Sequence, residues 1–142
     1  MELNMDFQPK FYTKKIFLEK CINSSNKLIL CFSEKDYNDF NFNKVIIKNI
    51  KNREEFICPF TKELPNTLII DLSSIWPYFT DYEGSIYIDI ESNNTPVTLV
   101  PILSSKNPTR SDNINIKTNF KWFIRALDNG ELRLSSIVNK KI

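Results

Sequence analysis

Short runs of hydrophobic residues alternate with polar positions along this chain, and the clearest runs lie in its middle third. Three of them follow one another between Asn66 and Leu103: NTLIIDLSSI, GSIYIDIE and TPVTLVPIL. In the second, Ile86, Ile88 and Ile90 alternate with Tyr, Asp and Glu. This spacing predicts a strand with one buried face and one exposed face. Turn-forming residues separate the three runs, as expected for consecutive strands.

The same pattern extends to both sides of this region. A first hairpin is predicted from 15–22 and 27–32, a second strand pair from 45–50 and 54–60, and a closing hairpin over 114–138. Residues 33–43 and 107–113 are polar and are predicted to be loops. Pro101 indicates an edge strand or a bulge. Helical periodicity is not sustained over the ten or so residues that a helix needs.

About seven to nine short strands, spaced by about a dozen residues, are typical of an all-β, immunoglobulin-like antiparallel β-sandwich. The length of 142 residues favours one domain. We expect residues 1–10 to be loosely ordered and residues 11–142 to form this domain, because the first residues mix charged and apolar side chains without a period.

The composition excludes several kinds of chemistry. With no histidine, mechanisms that use Ser-His, Cys-His or His-metal groups are closed. Gly84 and Gly130 are the two glycines, too few for a glycine-rich phosphate loop. We therefore predict a protein that is not an enzyme and has no catalytic residue, cofactor or metal. Cys21, Cys31 and Cys58 are predicted to be buried, reduced thiols, since their number is odd and their neighbours are apolar.

Charge gives a further constraint. The net charge of +2 is too small to favour nucleic-acid binding. No run approaches the roughly 20 apolar residues of a membrane span, and the N-terminus has no signal-peptide core. These observations predict a cytoplasmic protein.

The charges are uneven, because an acidic middle precedes a basic C-terminal part. The simpler explanation is that an acidic face and a basic face of one fold complement each other. The more specific alternative is a surface that binds an anion.

Aromatic and acidic residues concentrate in the segment WPYFTDYEG. A secondary candidate surface consists of Trp76, Tyr78, Asp81, Tyr82 and Glu83. Carboxylates beside aromatic rings often furnish sugar sites, so glycosidase chemistry on Asp81 and Glu83 is one alternative. The simpler alternative is a loop that caps one end of the fold.

The closing hairpin gives the main candidate site, because its register can be argued. If Gly130 takes the left-handed position of a three-residue loop with a bulge, Ala126 faces Leu132 and Arg125 faces Arg133. Apolar residues then share the inner face. The predicted ligand-binding residues on the outer face are Lys117, Lys121, Phe123, Arg125 and Arg133.

Such a cationic face with an aromatic ring suits phosphate or carboxylate, which arginine can bind in a bidentate manner. Two opposed arginines repel each other, unless a nearby acid neutralises them. Asp89, Glu91 and Glu131 are the candidates for that role.

The order of motifs resembles the β-sandwich accessory domain of bacterial teichoic-acid, or CDP-glycerol-type, glycosyl- and glycerophosphotransferases. The motifs are Asp71-Leu72-Ser73, then Gly84 with Tyr87 and Ile88, and finally Asn129-Gly130 with Leu132 and Leu134. The resemblance covers roughly residues 28–137. It implies a non-catalytic module for surface-polymer synthesis and assigns no active-site residue.

Two functions are therefore predicted. The first is a binding or accessory module for an anionic glycan or polyol-phosphate polymer, or for a protein partner in that pathway. The alternative is a cytoplasmic interaction factor, such as an immunity or regulatory protein, whose acidic region 78–91 covers a basic partner.

Overall fold

The computed structural model describes residues 12–24, 26–33, 40–63, 65–74, 83–103, 107–109, 113–115 and 119–138. These residues form eleven strands and no helix. The strands are β1 (Tyr12–Ser24), β2 (Lys27–Phe32), β3 (Asn41–Asn49), β4 (Glu55–Cys58), β5 (Phe60–Glu63), β6 (Thr67–Asp71), β7 (Glu83–Ser92), β8 (Thr95–Ile102), β9 (Asn113–Asn115), β10 (Phe120–Ala126) and β11 (Leu132–Val138).

All eleven strands belong to one sheet, which is nearly closed and barrel-like. Its order is β5-β6-β2-β1-β8-β7-β11-β10-β9, and β3 joins β7 to β4 outside this path. The all-β prediction is confirmed. The strand number exceeds the predicted seven to nine, partly because the run at 54–60 divides at Pro59 into β4 and β5. Proline has no backbone N–H and cannot donate a ladder hydrogen bond, which favours a break at Pro59.

β7 is the strand that positions the candidate site. One of its edges pairs with β3 from Gly84 to Glu91. Its other edge is shared, because β11 pairs at residues 83–85 and β8 pairs at residues 88–92. The first residues of β7 therefore lie beside the closing hairpin formed by β10 and β11.

β1 also has two partners along its length. Its first half pairs with β8 in parallel, and its second half pairs with β2 in antiparallel orientation, with a bulge between Leu18 and Lys20. The predicted hairpin of β1 and β2 is thus present, but the parallel pair departs from an antiparallel fold. β8 lies between β1 and β7, so Pro101 is not in an edge strand. The ladder with β7 ends at Leu99, which leaves one paired edge at Pro101.

Most of the buried apolar side chains form one core cluster inside the sheet. Trp122 and Phe32 are its largest members, at 1% and 0% exposure, and Ile86, Ile88 and Ile90 all lie within it. This confirms the buried face predicted for the alternating run of β7. Burial of these side chains is the main term that stabilises the fold. Within the described ranges, there is no helix that could cross a membrane.

Candidate functional site

The closing hairpin has the register predicted from the sequence. Ala126 pairs with Leu132, Ile124 with Leu134, and Arg125 with Arg133. Gly130 has a φ of 90°, and its amide donates to the carbonyl of Leu127 at 2.8 Å. A side chain is disfavoured at this φ, so glycine permits the bulged turn that sets the register.

This register sorts the side chains of β10 and β11 onto two faces. Trp122 and Ile124 are buried in the core at 1% and 0% exposure, and Ala126 packs against it. Lys121, Phe123 and Arg125 alternate with them and lie on the outer face of β10, where each is partly exposed. Arg133 lies on the adjacent strand, directly across from Arg125. Four predicted site residues are therefore brought onto one outer face.

A carboxylate from β7 joins the two arginines. Glu83 pairs with Ser135 in the ladder between β7 and β11, which places it next to the hairpin. Its Oε1 lies 3.2 Å from Nη2 of Arg125 and 3.5 Å from Nη1 of Arg133. We call Glu83, Arg125 and Arg133 the arginine cluster. It joins the main candidate surface to the one residue of the secondary surface that the structure describes.

The side chains of the arginine cluster are held firmly. Arg125 donates from Nε to Oγ of Ser135 at 2.8 Å, and Ser135 is buried. The side chain of Arg133 is 15% exposed, and its Nε is buried without a hydrogen-bond partner among the described residues. Such a group is uncommon, because buried polar atoms normally have a partner. The cluster carries two positive charges and one negative charge.

The acid that neutralises the arginines was not among those predicted. Asp89 accepts a hydrogen bond from Thr98 Oγ1 at 2.9 Å, and Glu131 bonds with Asn129 in the hairpin turn. Glu83 fills the role instead, since β11 pairs with the first residues of β7 and not with the later ones. The expected repulsion between Arg125 and Arg133 is thus offset by a shared counterion.

Two open hollows adjoin Arg125 at the end of the hairpin. The first has a volume of about 330 Å³ and is lined by Asn107, Pro108, Arg125 and Ala126. The second has a volume of about 460 Å³ and is lined by Arg125, Ala126, Leu127, Asp128 and Asn129. The sequence predicts loops or turns at 107–113 and 128–130, but nothing in the pattern shows that Asn107 and Pro108 share a hollow with the end of β10. The one signal in the sequence was the position of Arg125, three residues before the turn at 128–130.

Five predicted site residues lie outside the described part of the chain. They are Lys117 of the main surface and Trp76, Tyr78, Asp81 and Tyr82 of the secondary surface. Their roles stay predictions. The glycosidase alternative therefore rests on a pair of which only Glu83 is described, and Glu83 is engaged by two arginines.

The three cysteines are free, and they lie away from the arginine cluster in the strand order. Cys21 and Cys58 are buried as predicted, whereas Cys31 is only partly buried. Burial raises the pKa of both buried thiols to about 12, so neither is a ready nucleophile. Among the described residues there is no group of three or more Cys, Asp or Glu side chains that could hold a metal ion.

Comparisons with known proteins assign the chain to no family. No protein-family model matches the chain, and no curated protein matches it. Any functional conclusion therefore depends on the chain's own residues.

Proposed function

We propose that this protein is a non-catalytic binding module that holds an anionic ligand at the arginine cluster. The observation that carries the proposal is the convergence of two guanidinium groups on one carboxylate oxygen at an accessible surface, with Arg125 41% exposed. Each guanidinium offers five N–H donors. The described contacts of the two arginines use few of them, so acceptor oxygens of a ligand can bind beside Glu83.

The chemistry of the cluster favours phosphate, sulfate or carboxylate groups. Arginine presents its donors in a planar fork that matches two oxygens of such a group, and charge-assisted bonds are stronger than neutral ones. Phe123 and Lys121 lie on the same outer face of β10. An anionic glycan or a polyol-phosphate polymer, the ligand class implied by the resemblance, presents anionic groups of this kind.

The test is a titration of the Arg125→Gln/Arg133→Gln variant with polyphosphate and with a sulfated dextran. Binding should weaken at least about tenfold, or ~1.4 kcal/mol, at near-physiological salt, which suppresses nonspecific attraction. The matched control is Lys15→Gln/Arg53→Gln, which removes the same charge at exposed positions of β1 and of the turn after β3. Equal affinity in the two double variants contradicts the proposal.

Folding of the double variant must be checked, because it leaves Glu83 without either arginine. The single variant Arg125→Gln keeps the contact between Arg133 and Glu83 and serves if the double variant unfolds. It should weaken binding as well, since Arg125 is the more exposed arginine. Unchanged affinity in a folded Arg125→Gln protein also contradicts the proposal.

The alternative function, an interaction factor that uses the acidic region 78–91, receives less support. In the described part of that region, Glu83 contacts two arginines and Asp89 bonds with Thr98. Glu91 is the exposed acid there. Carboxylates already engaged within the chain are poor sites for a basic partner, because their bonds must first be broken.

Two finer predictions also belong to this proposal. The immunoglobulin-like sandwich is supported by β1, which passes from the β8 side to the β2 side at its bulge, as strands do when they run between two layers. A cytoplasmic location is supported by three free cysteines, since reducing compartments keep thiols free.

A further inference from the structure

The two hollows at the end of the closing hairpin are adjacent. Both have Arg125 and Ala126 in their walls. We call the pair the hairpin cleft. Its two parts, of about 330 and 460 Å³, fall within the size range of small-molecule sites in proteins.

The walls of the hairpin cleft are fixed by backbone hydrogen bonds. On one side, the amide of Thr109 donates to Cys21 at 2.9 Å, and the amide of Asn23 donates to Thr109 at 2.7 Å. These bonds attach the segment that contains Asn107 and Pro108 to β1. On the other side, the amide of Leu103 donates to Gly130 at 2.8 Å, which attaches the hairpin turn to the end of β8. A cleft with fixed walls loses little entropy when a ligand binds.

Arg125 is also fixed where it borders the cleft. Its Nε donates a hydrogen bond to Oγ of Ser135, and its Nη2 donates one to Oε1 of Glu83. These two bonds fix the orientation of the guanidinium plane. The charges of the two hollows differ. The first contains Arg125 and no acid among its described lining residues, whereas the second contains Asp128, which is exposed, together with the same arginine. Among the described lining residues, the second hollow is therefore less positive than the first.

We propose that the hairpin cleft binds a small phosphorylated polyol or sugar, or one such unit at the end of a polymer. The anionic group lies in the first hollow between Asn107 and Arg125. The hydroxyl groups lie in the second hollow, where the carboxylate of Asp128 accepts hydrogen bonds from them. A second anionic group is disfavoured there by the charge of Asp128. This inference rests on the proposed function and adds the shape and orientation of the ligand.

The experiment compares three probes by calorimetry: glucose 1-phosphate, inorganic phosphate and glucose. Glucose 1-phosphate should bind at least about tenfold more tightly than inorganic phosphate, because only the ester can use both hollows. Equal affinity for the two phosphates overturns the cleft proposal and leaves the anion-binding function standing. Failure of both phosphates to bind overturns the two proposals together.

Two variants test the orientation. Asn107→Ala should weaken both phosphates, whereas Asp128→Asn should weaken glucose 1-phosphate and leave inorganic phosphate unchanged. Asn107 and Asp128 are exposed, so both proteins should fold. Asn43→Ala, at an exposed position of β3, is the matched control. If Asp128→Asn instead tightens both phosphates equally, Asp128 acts only by repulsion, and the assigned orientation is wrong.

Discussion

The carboxylate of Glu83 determines how much positive charge the outer face of β10 and β11 presents. It lies within 3.5 Å of both arginines and engages Arg125, the arginine that also borders the hairpin cleft. A carboxylate of the chain and an oxygen of a ligand therefore compete for some of the same donors. At the same time, Glu83 stabilises Arg133, whose side chain is mostly buried.

Replacing this carboxylate should change binding and stability in opposite directions. We expect Glu83→Gln to tighten the binding of inorganic phosphate by about tenfold, because the competing negative charge is removed. The free energy of unfolding should fall by about 1 kcal/mol, since a poorly exposed arginine loses its counterion. Calorimetry and urea denaturation measure the two effects.

The control for Glu83→Gln is Glu55→Gln. Glu55 lies on β4, which is separated from β7 by β3, and contacts Lys48 at 3.9 Å, so this variant also removes one charge and one ion pair. It should leave phosphate binding unchanged. Weaker phosphate binding in Glu83→Gln would mean that the carboxylate organises the arginines and does not compete with the ligand.

The arginine pair was predictable from the sequence, but its counterion was not. The pairing of Arg125 with Arg133 follows from a local turn, because Gly130 and the alternation of apolar residues fix the hairpin register. Glu83 is separated from Arg125 by 42 positions, and its place depends on which strand lies beside β11. Asn107 and Arg125 likewise line one hollow only because distant segments are attached to each other. Pairing between distant strands leaves no periodic signal in a sequence.

At the scale of elements, the turn between β10 and β11 and the turn between β7 and β8 adopt positive φ with different residue types. Gly130 has a φ of 90° without a side chain, whereas Asn93 and Asn94 have φ values of 53° and 62° in the two-residue turn between β7 and β8. Asparagine tolerates this region better than most residues, but glycine adopts it at lower cost.

Substitutions at these turns should therefore shift stability in opposite directions. Gly130→Ala should lower the free energy of unfolding by about 1 kcal/mol or more, because a Cβ is disfavoured at positive φ. Asn94→Gly, the matched control, should raise the free energy of unfolding slightly, because glycine adopts the positive φ of the second turn position at lower cost. Urea denaturation measures both. An unchanged midpoint for Gly130→Ala would contradict the role assigned to this glycine.

Pairs of strands that are adjacent in the sequence were more predictable than pairings between distant strands. The hairpin of β1 and β2 and the pair of β3 and β4 follow from alternation and from turn residues close in sequence. The parallel pair of β1 and β8, the division at Pro59 and the pairing of β5 with β6 were not predicted. These depend on how the strands close around one core, which is a property of the whole chain.

At the scale of the whole molecule, the buried thiols link stability to pH. The pKa of Cys21 and of Cys58 is raised from 9.0 to about 12, chiefly by burial. Between these values the unfolded chain loses both protons while the folded chain keeps them. Stability is therefore fully present below pH 9 and falls as the pH rises toward 12.

We expect the free energy of unfolding to fall above pH 9 by up to ~1.4 kcal/mol per pH unit for each buried thiol. The variant Cys21→Ala/Cys58→Ala should show a shallower decline, and the difference between the two slopes isolates the thiols from other groups. Denaturation at a series of pH values measures it. Parallel slopes would show that the two thiols ionise alike in the folded and unfolded chains.

The shared counterion of the arginine cluster also has a kinetic consequence. With two cations and one carboxylate within 3.5 Å, the cluster acts on a distant ligand as roughly one positive charge. A single charge gives little long-range guidance at physiological ionic strength, where fields decay over about 8 Å. Anions thus arrive at the unassisted diffusional rate and are distinguished by how long they stay. Selectivity among anions then depends on their dissociation rates, which short-range contacts determine, and hardly on their association rates.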